Sequence, residues 1–296
     1  MDVLIAALGG EVRTLTVSDP LGRPVEAGFA LLPNGSAVVE MAQASGLSLV
    51  AEPDRDAWAA STRGTGELIA AAASAGASPI VVTVGGSATT DGGAGAIGAL
   101  KEAGFGAASP DSVPSPSPVA PSPAGASPLD LHVVCDVRVP FEDAPRIFGP
   151  QKGADPAMVE RLERRLDELA ANFPRDPRGE PMTGCAGGLS GGLWAVHGAE
   201  LVPGAPYVLD AIGFDALMRG SAFVVTGEGS LDEQTLQGKI VGEVATRCRQ
   251  GGVPCHAIVG RDQLDRFGER IIDLASVTEA TTLDEIRHAG AALIEQ

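Results

Sequence analysis

Lysine is the scarcest charged residue in this chain of 296 residues. Arginine supplies nearly all of the positive charge, and the three lysines are Lys101, Lys152 and Lys239. Two of them follow glycine-rich turns, in Gly-Pro-Gln-Lys-Gly and Leu-Gln-Gly-Lys. A compact, strongly hydrated ammonium in such a turn favours contact with a phosphate or a carboxylate. Chance placement is the alternative.

Long apolar runs and an excess of positive charge are also missing. The apolar runs are far too short to cross a bilayer, and Met1–Gly10 has neither the basic region nor the long apolar core of a signal peptide. The net charge of -17 repels nucleic acid and anionic membrane surfaces. We therefore expect a cytoplasmic protein without nucleic-acid or membrane partners.

Cysteine and histidine are few, four of each, and they lie scattered along the chain. The sequence contains no Cys-x-x-Cys pair and no recognised metal-ligand spacing of histidines. This usage favours reduced cytoplasmic thiols over disulfides or a structural zinc site.

The central stretch of the sequence is Pro79–Leu100. Ile80–Val84 is a run of β-branched residues without alternation, which predicts a strand buried on both faces of a sheet. Gly85–Asp91 follows with glycines, hydroxyls and one carboxylate, and helix-forming residues return near Gly95. A strand, a glycine-rich turn and a helix start bring free backbone N–H groups to one point. This arrangement predicts an anion site, most plausibly for phosphate.

Gly93–Gly98 matches the dinucleotide pattern G-x-G-x-x-G, but the match begins well past the strand. The region where the acidic residue of that fingerprint would lie is a Pro/Ser tract, so dinucleotide binding is disfavoured. Close helix packing is a competing explanation for Gly95 and Gly98. It does not explain why Ser, two Thr and Asp occur together in Gly85–Asp91.

Apolar patterning predicts an α/β protein. A small antiparallel meander comes first, and strands alternate with helices through the last third, which is typical of a parallel sheet. The predicted strands are Glu11–Val17, Glu26–Leu32, Ser36–Met41, Ile80–Val84, Leu131–Val134, Ala222–Val225, Pro254–Val259 and Ser276–Ala280. The predicted helices include Met1–Leu8, Gly66–Ala75, a helix capped by Asp155 with Pro156 at its first position, Thr235–Arg249 and Leu283–Glu295. Residues 107–128 are rich in Pro and Ser and predict an extended or disordered loop.

Polar residues follow several of these strands, where ligands bind in parallel sheets. They are Ser87, Thr89 and Asp91; Asp136; Gln151 and Lys152; and Glu228, Asp232, Gln234 and Lys239. Carboxylates from several loops suit a Mg²⁺ ion that keeps waters and bridges phosphates, and lysines offset phosphoryl charge. Phosphoryl transfer fits this set. A Walker A loop is absent, since Glu233 and Ile240 occupy its first Gly and its Ser/Thr positions.

Five ordered motifs resemble the glycerate kinase type 1 family over nearly the whole chain. They are Gly85–Gly95, Cys135–Val137, Phe148–Ala154, Gly184–Gly192 and Thr226–Lys239. The resemblance implies Mg²⁺- and ATP-dependent phosphorylation of D-glycerate, mostly at the 2-hydroxyl in bacterial members. It also implies two α/β domains, one Rossmann-like with a parallel sheet and one mixed, with the active site in the cleft between them. We assign residues 1–10 plus 205–296 to the first domain and 11–204 to the second.

The same resemblance assigns site residues. Gly85, Gly86, Ser87, Ala88 and Thr89 would bind ATP phosphates together with Lys152 and Gln234, and Asp136 or Glu228 would bind Mg²⁺. Lys152 and Lys239 would contact phosphoryl or glycerate carboxylate oxygens. Asp232 or Asp91 would take the hydroxyl proton, so Asp91, Asp232 and Lys239 are the catalytic candidates. An N-cap or a surface turn is the alternative for Asp232.

The sequence departs from the family pattern in places. Family segments with Asp-Ser-Phe-Lys and Gly-Gly-Glu-Gly, which precede the counterpart of Val3–Leu8, are missing, and Thr90 and Arg138-Val139 replace the usual Asn and Thr-Asn. We expect the natural protein to have a further amino-terminal segment. The alternatives are a catalytically inactive homologue that binds anions or assembles, a kinase that forms 3-phosphoglycerate, and a kinase for another small hydroxy acid. A homodimer also stays open.

Overall fold

The computed structural model describes residues 1–107, 129–232, 235 and 239–294. They divide into two compact units, Met1–Pro203 and Gly204–Gln296. The loop predicted for the Pro/Ser-rich tract lies at 108–128, outside the described residues. Within these residues, no helix combines the length and the apolar content that crossing a membrane requires.

The first unit contains a six-stranded mixed sheet, with strands in sequence order across the sheet in the described part of the chain. The first three strands pair antiparallel, as the predicted meander requires, and the third to sixth run parallel. The strands are β1 (Glu11–Ser18), β2 (Pro24–Leu31), β3 (Ala37–Glu40), β4 (Ile80–Thr83), β5 (Leu131–Cys135) and β6 (Glu200–Pro203).

The core of this unit lies on both faces of the parallel strands. Val39, Val82 and Val133 are adjacent in register across β3, β4 and β5, and each is fully buried. This burial explains why the strands read as continuous apolar runs. Leu68 and Ile69 of the helix Arg63–Ser74 join the same core.

The helices of the first unit are α1 (Asp2–Leu8), α2 (Ala42–Ser45), α3 (Arg63–Ser74), α4 (Ala94–Glu102), α5 (Ala144–Phe148), α6 (Pro156–Asn172) and α7 (Cys185–His197). The predicted cap of α6 is confirmed, because Asp155 Oδ1 accepts the Met158 N–H at 2.7 Å and Pro156 is the first helical residue. Close helix packing holds for Gly95, where a Cβ would lie 2.2 Å from Ser61 Oγ, but not for Gly98, which has open space.

The second unit contains a parallel sheet of β7 (Val224–Glu228), β8 (Cys255–Val259) and β9 (Ser276–Glu279) in that order. Its helices are α8 (Gly204–Ala211), α9 (Phe214–Arg219), α10 (Ile240–Gly251), α11 (Arg266–Ile272) and α12 (Leu283–Ile294). The helix predicted over Thr235–Arg249 does not include Lys239, whose backbone is extended and directly precedes α10. β7 lies further along the chain than predicted, because Thr226–Glu228 pair with Ala257–Val259.

The two sheets confirm the predicted fold class of one mixed α/β domain and one α/β domain with a parallel sheet. The grouping of residues 1–10 with 205–296, and the location of the active site between the domains, stay predictions.

Candidate active site

The glycine-rich loop, Gly85–Asp91, leaves the carboxyl end of β4 and is fastened to the turn that follows β3. Leu47 N donates to Gly86 O at 2.8 Å, and Ala88 N donates to Ser45 O at 2.9 Å. These two bonds frame a bridge between Gly46 and Ser87. In the described part of the chain, the N–H groups of Gly86 and Ser87 donate to no acceptor. The loop therefore presents unpaired backbone donors on a fixed support, as an anion site requires.

Lys152 lies beneath this loop and is only 2 % exposed. Its Nζ donates to Ser87 Oγ at 2.8 Å and to Thr89 O at 2.6 Å. A 3-10 turn at Pro150–Lys152 and the left-handed Gly153 after it deliver the lysine to this position. The ammonium fixes the conformation of the loop from inside the protein.

Burial lowers the pKa of Lys152 to about 7, although the negative charge of Asp91 acts in the opposite direction. The unfolded chain keeps this proton up to the ordinary lysine pKa of 10.5. Between these two pH values the unfolded chain binds more protons than the folded chain, so the free energy of unfolding rises with pH. A neutral amine still has N–H donors for Ser87 and Thr89.

We expect wild-type protein, compared with Lys152→Met, to gain unfolding free energy as pH rises from about 7, by up to about 1.4 kcal/mol per pH unit. The methionine does not titrate. The two hydrogen bonds of Lys152 that the variant lacks therefore lower its stability by an amount that does not depend on pH. Urea denaturation of both proteins at several pH values checks this. A difference that is constant with pH contradicts it.

Asp91 supplies the one carboxylate of the loop and is 1 % exposed. Its Oδ2 accepts the N–H of Thr62 at 2.8 Å, the hydroxyl of Thr62 at 2.9 Å and the N–H of Gly95 at 3.1 Å. Its Oδ1 accepts the N–H of Gly93 at 3.1 Å. The carboxylate thus joins the end of the loop to the starts of α3 and α4.

The start of α7 packs backbone to backbone against the glycine-rich loop. Ala186, Gly187 and Gly188 have left-handed φ angles of 52°, 64° and 89°. Thr89 Oγ1 donates to Ala186 O at 3.5 Å, and Gly92 N donates to Gly187 O at 3.0 Å. A Cβ at Gly187 would lie 2.0 Å from Thr89 O, so this contact admits only glycine.

A cavity of about 190 Å³ opens at the carboxyl ends of β4 and β5. Its wall consists of Leu47, Val84, Gly85, Gly86, Ser87, Asp136, Val137, Phe148, Gln151, Cys185 and Ala186. It is smaller than the pockets of roughly 300 Å³ and above that hold drug-sized ligands. The size and the unpaired N–H groups suit a small anion. Asp136 is exposed and contributes a carboxylate to the wall.

One of the residues that line this cavity, Cys185, lies beside a second thiol, that of Cys135. Cys185 Sγ donates to Val137 O at 3.3 Å, and Cys135 Sγ lies 3.7 Å from Met182 O. A hydrogen bond with Cys185, together with burial, raises the pKa of the Cys135 thiol. This thiol is therefore protonated at neutral pH and a poor nucleophile. All four cysteines are buried free thiols.

A second group of predicted residues lies in the second unit, at the carboxyl end of β7. Thr235 Oγ1 donates to Glu228 Oε1 at 2.5 Å and accepts the Asp232 N–H at 3.1 Å. Lys239 Nζ lies 3.9 Å from Asp232 Oδ1, and about a third of each side chain is exposed. Gln234 lies outside the described residues.

The predicted residues thus fall into two groups, one in each unit. Gly85–Thr89, Asp91, Asp136 and Lys152 share the first, and Glu228, Asp232 and Lys239 share the second. The described residues contain no cluster of three or more His, Cys, Asp or Glu side chains arranged for a metal ion.

Sequence reasoning did not identify Thr62, Phe148, Cys185 and Ala186 as parts of the site. Phe148 and Gly184–Gly192 lie within motifs that carried the family resemblance, which was the available signal. Thr62 gave none, because its bonds to Asp91 join residues 29 positions apart.

The chain is similar to known proteins over its whole described length. The model of the glycerate kinase family matches residues 1–296. A glycerate kinase from Halalkalibacterium halodurans is 39% identical, with 99% of this chain and 82% of that protein covered. A glycerate 2-kinase from Escherichia coli K12 is 36% identical, with 96% and 80% covered.

A crystal structure of a protein provisionally named glycerate kinase 2, from Salmonella typhimurium LT2, superimposes with a TM-score of 0.70. Its sequence is 33% identical, and the match covers 97% of this chain and 80% of that one. The predicted resemblance is therefore confirmed, and the chain belongs to the glycerate kinase family of phosphotransferases.

Proposed function

We propose that the chain transfers the γ-phosphoryl group of ATP to D-glycerate and forms 2-phosphoglycerate. The observation that carries the proposal is the glycine-rich loop, in which Gly86 and Ser87 have unpaired N–H groups and line a cavity sized for a small anion. The 36% identity to a glycerate 2-kinase supports the choice of hydroxyl.

In this proposal, Gly85–Thr89 bind phosphate oxygens mainly through the N–H groups of Gly86 and Ser87. Ala88 does not contribute its N–H group to the ligand, because this group already donates to Ser45 O. Its backbone holds the loop rather than the ligand.

Lys152 acts as a positioning residue. It is buried, and its ammonium is engaged by Ser87 and Thr89. Lys239 is partly exposed and offers the cation that contacts phosphoryl or glycerate oxygens. Gln234 remains a proposed phosphate ligand on the strength of its motif alone.

Mg²⁺ fits the carboxylate of Asp136 or that of Glu228, since hard oxygen donors are what this ion prefers. Asp136 is exposed at the cavity, and one oxygen of Glu228 is already bonded to Thr235. A bound Mg²⁺ would supply charge neutralisation of the ATP phosphates.

Asp232 is the proposed acceptor of the hydroxyl proton, because its carboxylate is partly exposed and lies near Lys239. Asp91 is assigned a different role. Its two oxygens accept four hydrogen bonds from groups within the protein, so it positions the loop.

The test is an ADP-release assay with Mg-ATP and D-glycerate, on wild type, Lys239→Ala and Lys101→Ala. We expect turnover that requires D-glycerate, falls by about 100-fold in Lys239→Ala and is unchanged in Lys101→Ala. Lys101 is an exposed lysine in the last turn of α4 and serves as the matched control.

Phosphorus NMR of the product separates the 2-phosphate from the 3-phosphate. A 3-phosphate overturns the assigned hydroxyl, and turnover with a different hydroxy acid alone overturns the substrate. A folded protein without turnover supports the anion-binding alternative instead.

A further inference from the structure

A second polar pocket lies in the first unit, where the loop before α3 meets the middle of α6. It has a volume of about 370 Å³. Its lining residues are Trp58, Arg161, Arg164, Arg165 and Glu168, and we call it the Trp58 pocket. None of them belongs to the cavity of the proposed kinase site.

The Trp58 pocket is held by defined contacts. The guanidinium carbons of Arg161 and Arg165 lie 4.5 Å and 5.0 Å from the centroid of the Trp58 ring. Arg165 Nη1 also donates to Trp58 O at 2.8 Å. Asp56 fixes the loop by accepting the N–H of Trp58 at 2.9 Å. The indole and the arginines thus form one surface.

Arginine dominates the charge of the pocket. Within the described ranges, no carboxylate lies within 4.0 Å of the guanidinium nitrogens of Arg161, Arg164 or Arg165. In contrast, Arg178 and Arg247 each pair with two or more carboxylates. The pocket therefore combines three arginines that form no ion pair within 4.0 Å with one acid, Glu168, in a chain of net charge -17.

We propose that the Trp58 pocket binds a small phosphorylated anion. Guanidinium groups match phosphate oxygens in charge and geometry, and the pocket volume is that of a site for a small molecule. The strong negative charge of the rest of the chain disfavours a nucleic acid in the same place. The site is additional to the cavity beside the glycine-rich loop.

The test uses inorganic pyrophosphate as the probe and tryptophan emission as the signal. Trp194→Phe leaves Trp58 as the sole tryptophan. In this background, we compare the double variant Arg161→Gln/Arg164→Gln with a control double variant, Arg219→Gln/Arg287→Gln. The control arginines are exposed and lie in the second unit. Isothermal titration calorimetry on the same proteins gives a second measure of affinity.

We expect saturable binding of pyrophosphate that weakens about tenfold or more in Arg161→Gln/Arg164→Gln and is unchanged in the control. Each variant should still unfold cooperatively on heating, which shows that it is folded, and kinase turnover should persist, because neither arginine lies in the proposed kinase site. Equal affinity in both double variants overturns the proposal. A response that sodium chloride reproduces at equal ionic strength also overturns it, since that is charge screening.

Discussion

Asp91→Asn is expected to lower the free energy of unfolding of the first unit by about 3 kcal/mol. The buried carboxylate accepts four hydrogen bonds, three of them on Oδ2. An asparagine has one acceptor oxygen, so its NH₂ group would face a backbone N–H donor in a site without water-facing surface. The loss combines one missing bond, a buried unsatisfied donor and the weaker bonds of a neutral acceptor.

Urea denaturation followed by tryptophan emission measures this loss. Both tryptophans, Trp58 and Trp194, lie in the first unit, so the signal reports that unit. Asp176→Asn is the matched control, because Asp176 is exposed and also accepts several hydrogen bonds, from Arg178. An Asp91→Asn midpoint equal to that of the control contradicts the structural role of Asp91.

Gly187→Ala is expected to destabilise the first unit by about 3–5 kcal/mol and to abolish most turnover. The added Cβ would lie 2.0 Å from Thr89 O, and the φ of +64° adds the strain of a left-handed alanine. Relief of the contact must move Thr89, whose carbonyl also accepts the bond from Lys152. The substitution therefore displaces the loop that is proposed to bind phosphate.

Gly98→Ala is the control for this prediction. A Cβ at Gly98 meets nothing within 4 Å, and the residue lies inside α4. Alanine is the better helix former, so we expect unchanged turnover and a gain of up to about 1 kcal/mol. Stability of Gly187→Ala within error of Gly98→Ala would show that α7 and the loop can move apart.

Much of the fold was predictable because its signals are local. Ile80–Val84 and Leu131–Val134 are short apolar runs, and the structure places β4 and β5 there as buried parallel neighbours. The cap of α6 depends on two adjacent residues, Asp155 and Pro156. Strand β6 was missed, because Glu200–Pro203 contains only two apolar side chains between Glu and Pro.

The candidate site was predictable as a set of residues but not as a set of contacts. The motifs indicated that Asp91 and Lys152 belong near the loop. The hydrogen bonds that hold these two side chains involve partners far along the chain, since Thr62 lies 29 residues from Asp91 and Ser87 lies 65 residues from Lys152. The sequence alone does not distinguish a carboxylate that accepts hydrogen bonds from the protein from a carboxylate that contacts a ligand.

The cavity wall also determines how this protein can change over evolution. Gly85 and Gly86 contribute only backbone to this wall, and Gly187, next to the wall residue Ala186, tolerates no added atom. Other parts of the wall are formed by Leu47, Val137, Phe148 and Gln151. If the cavity holds the substrate as proposed, mutations that reshape substrate choice act through these four side chains, while Gly187 stays fixed in variants that keep the fold. A library built to broaden acceptor range should randomise these four positions and leave the glycines untouched.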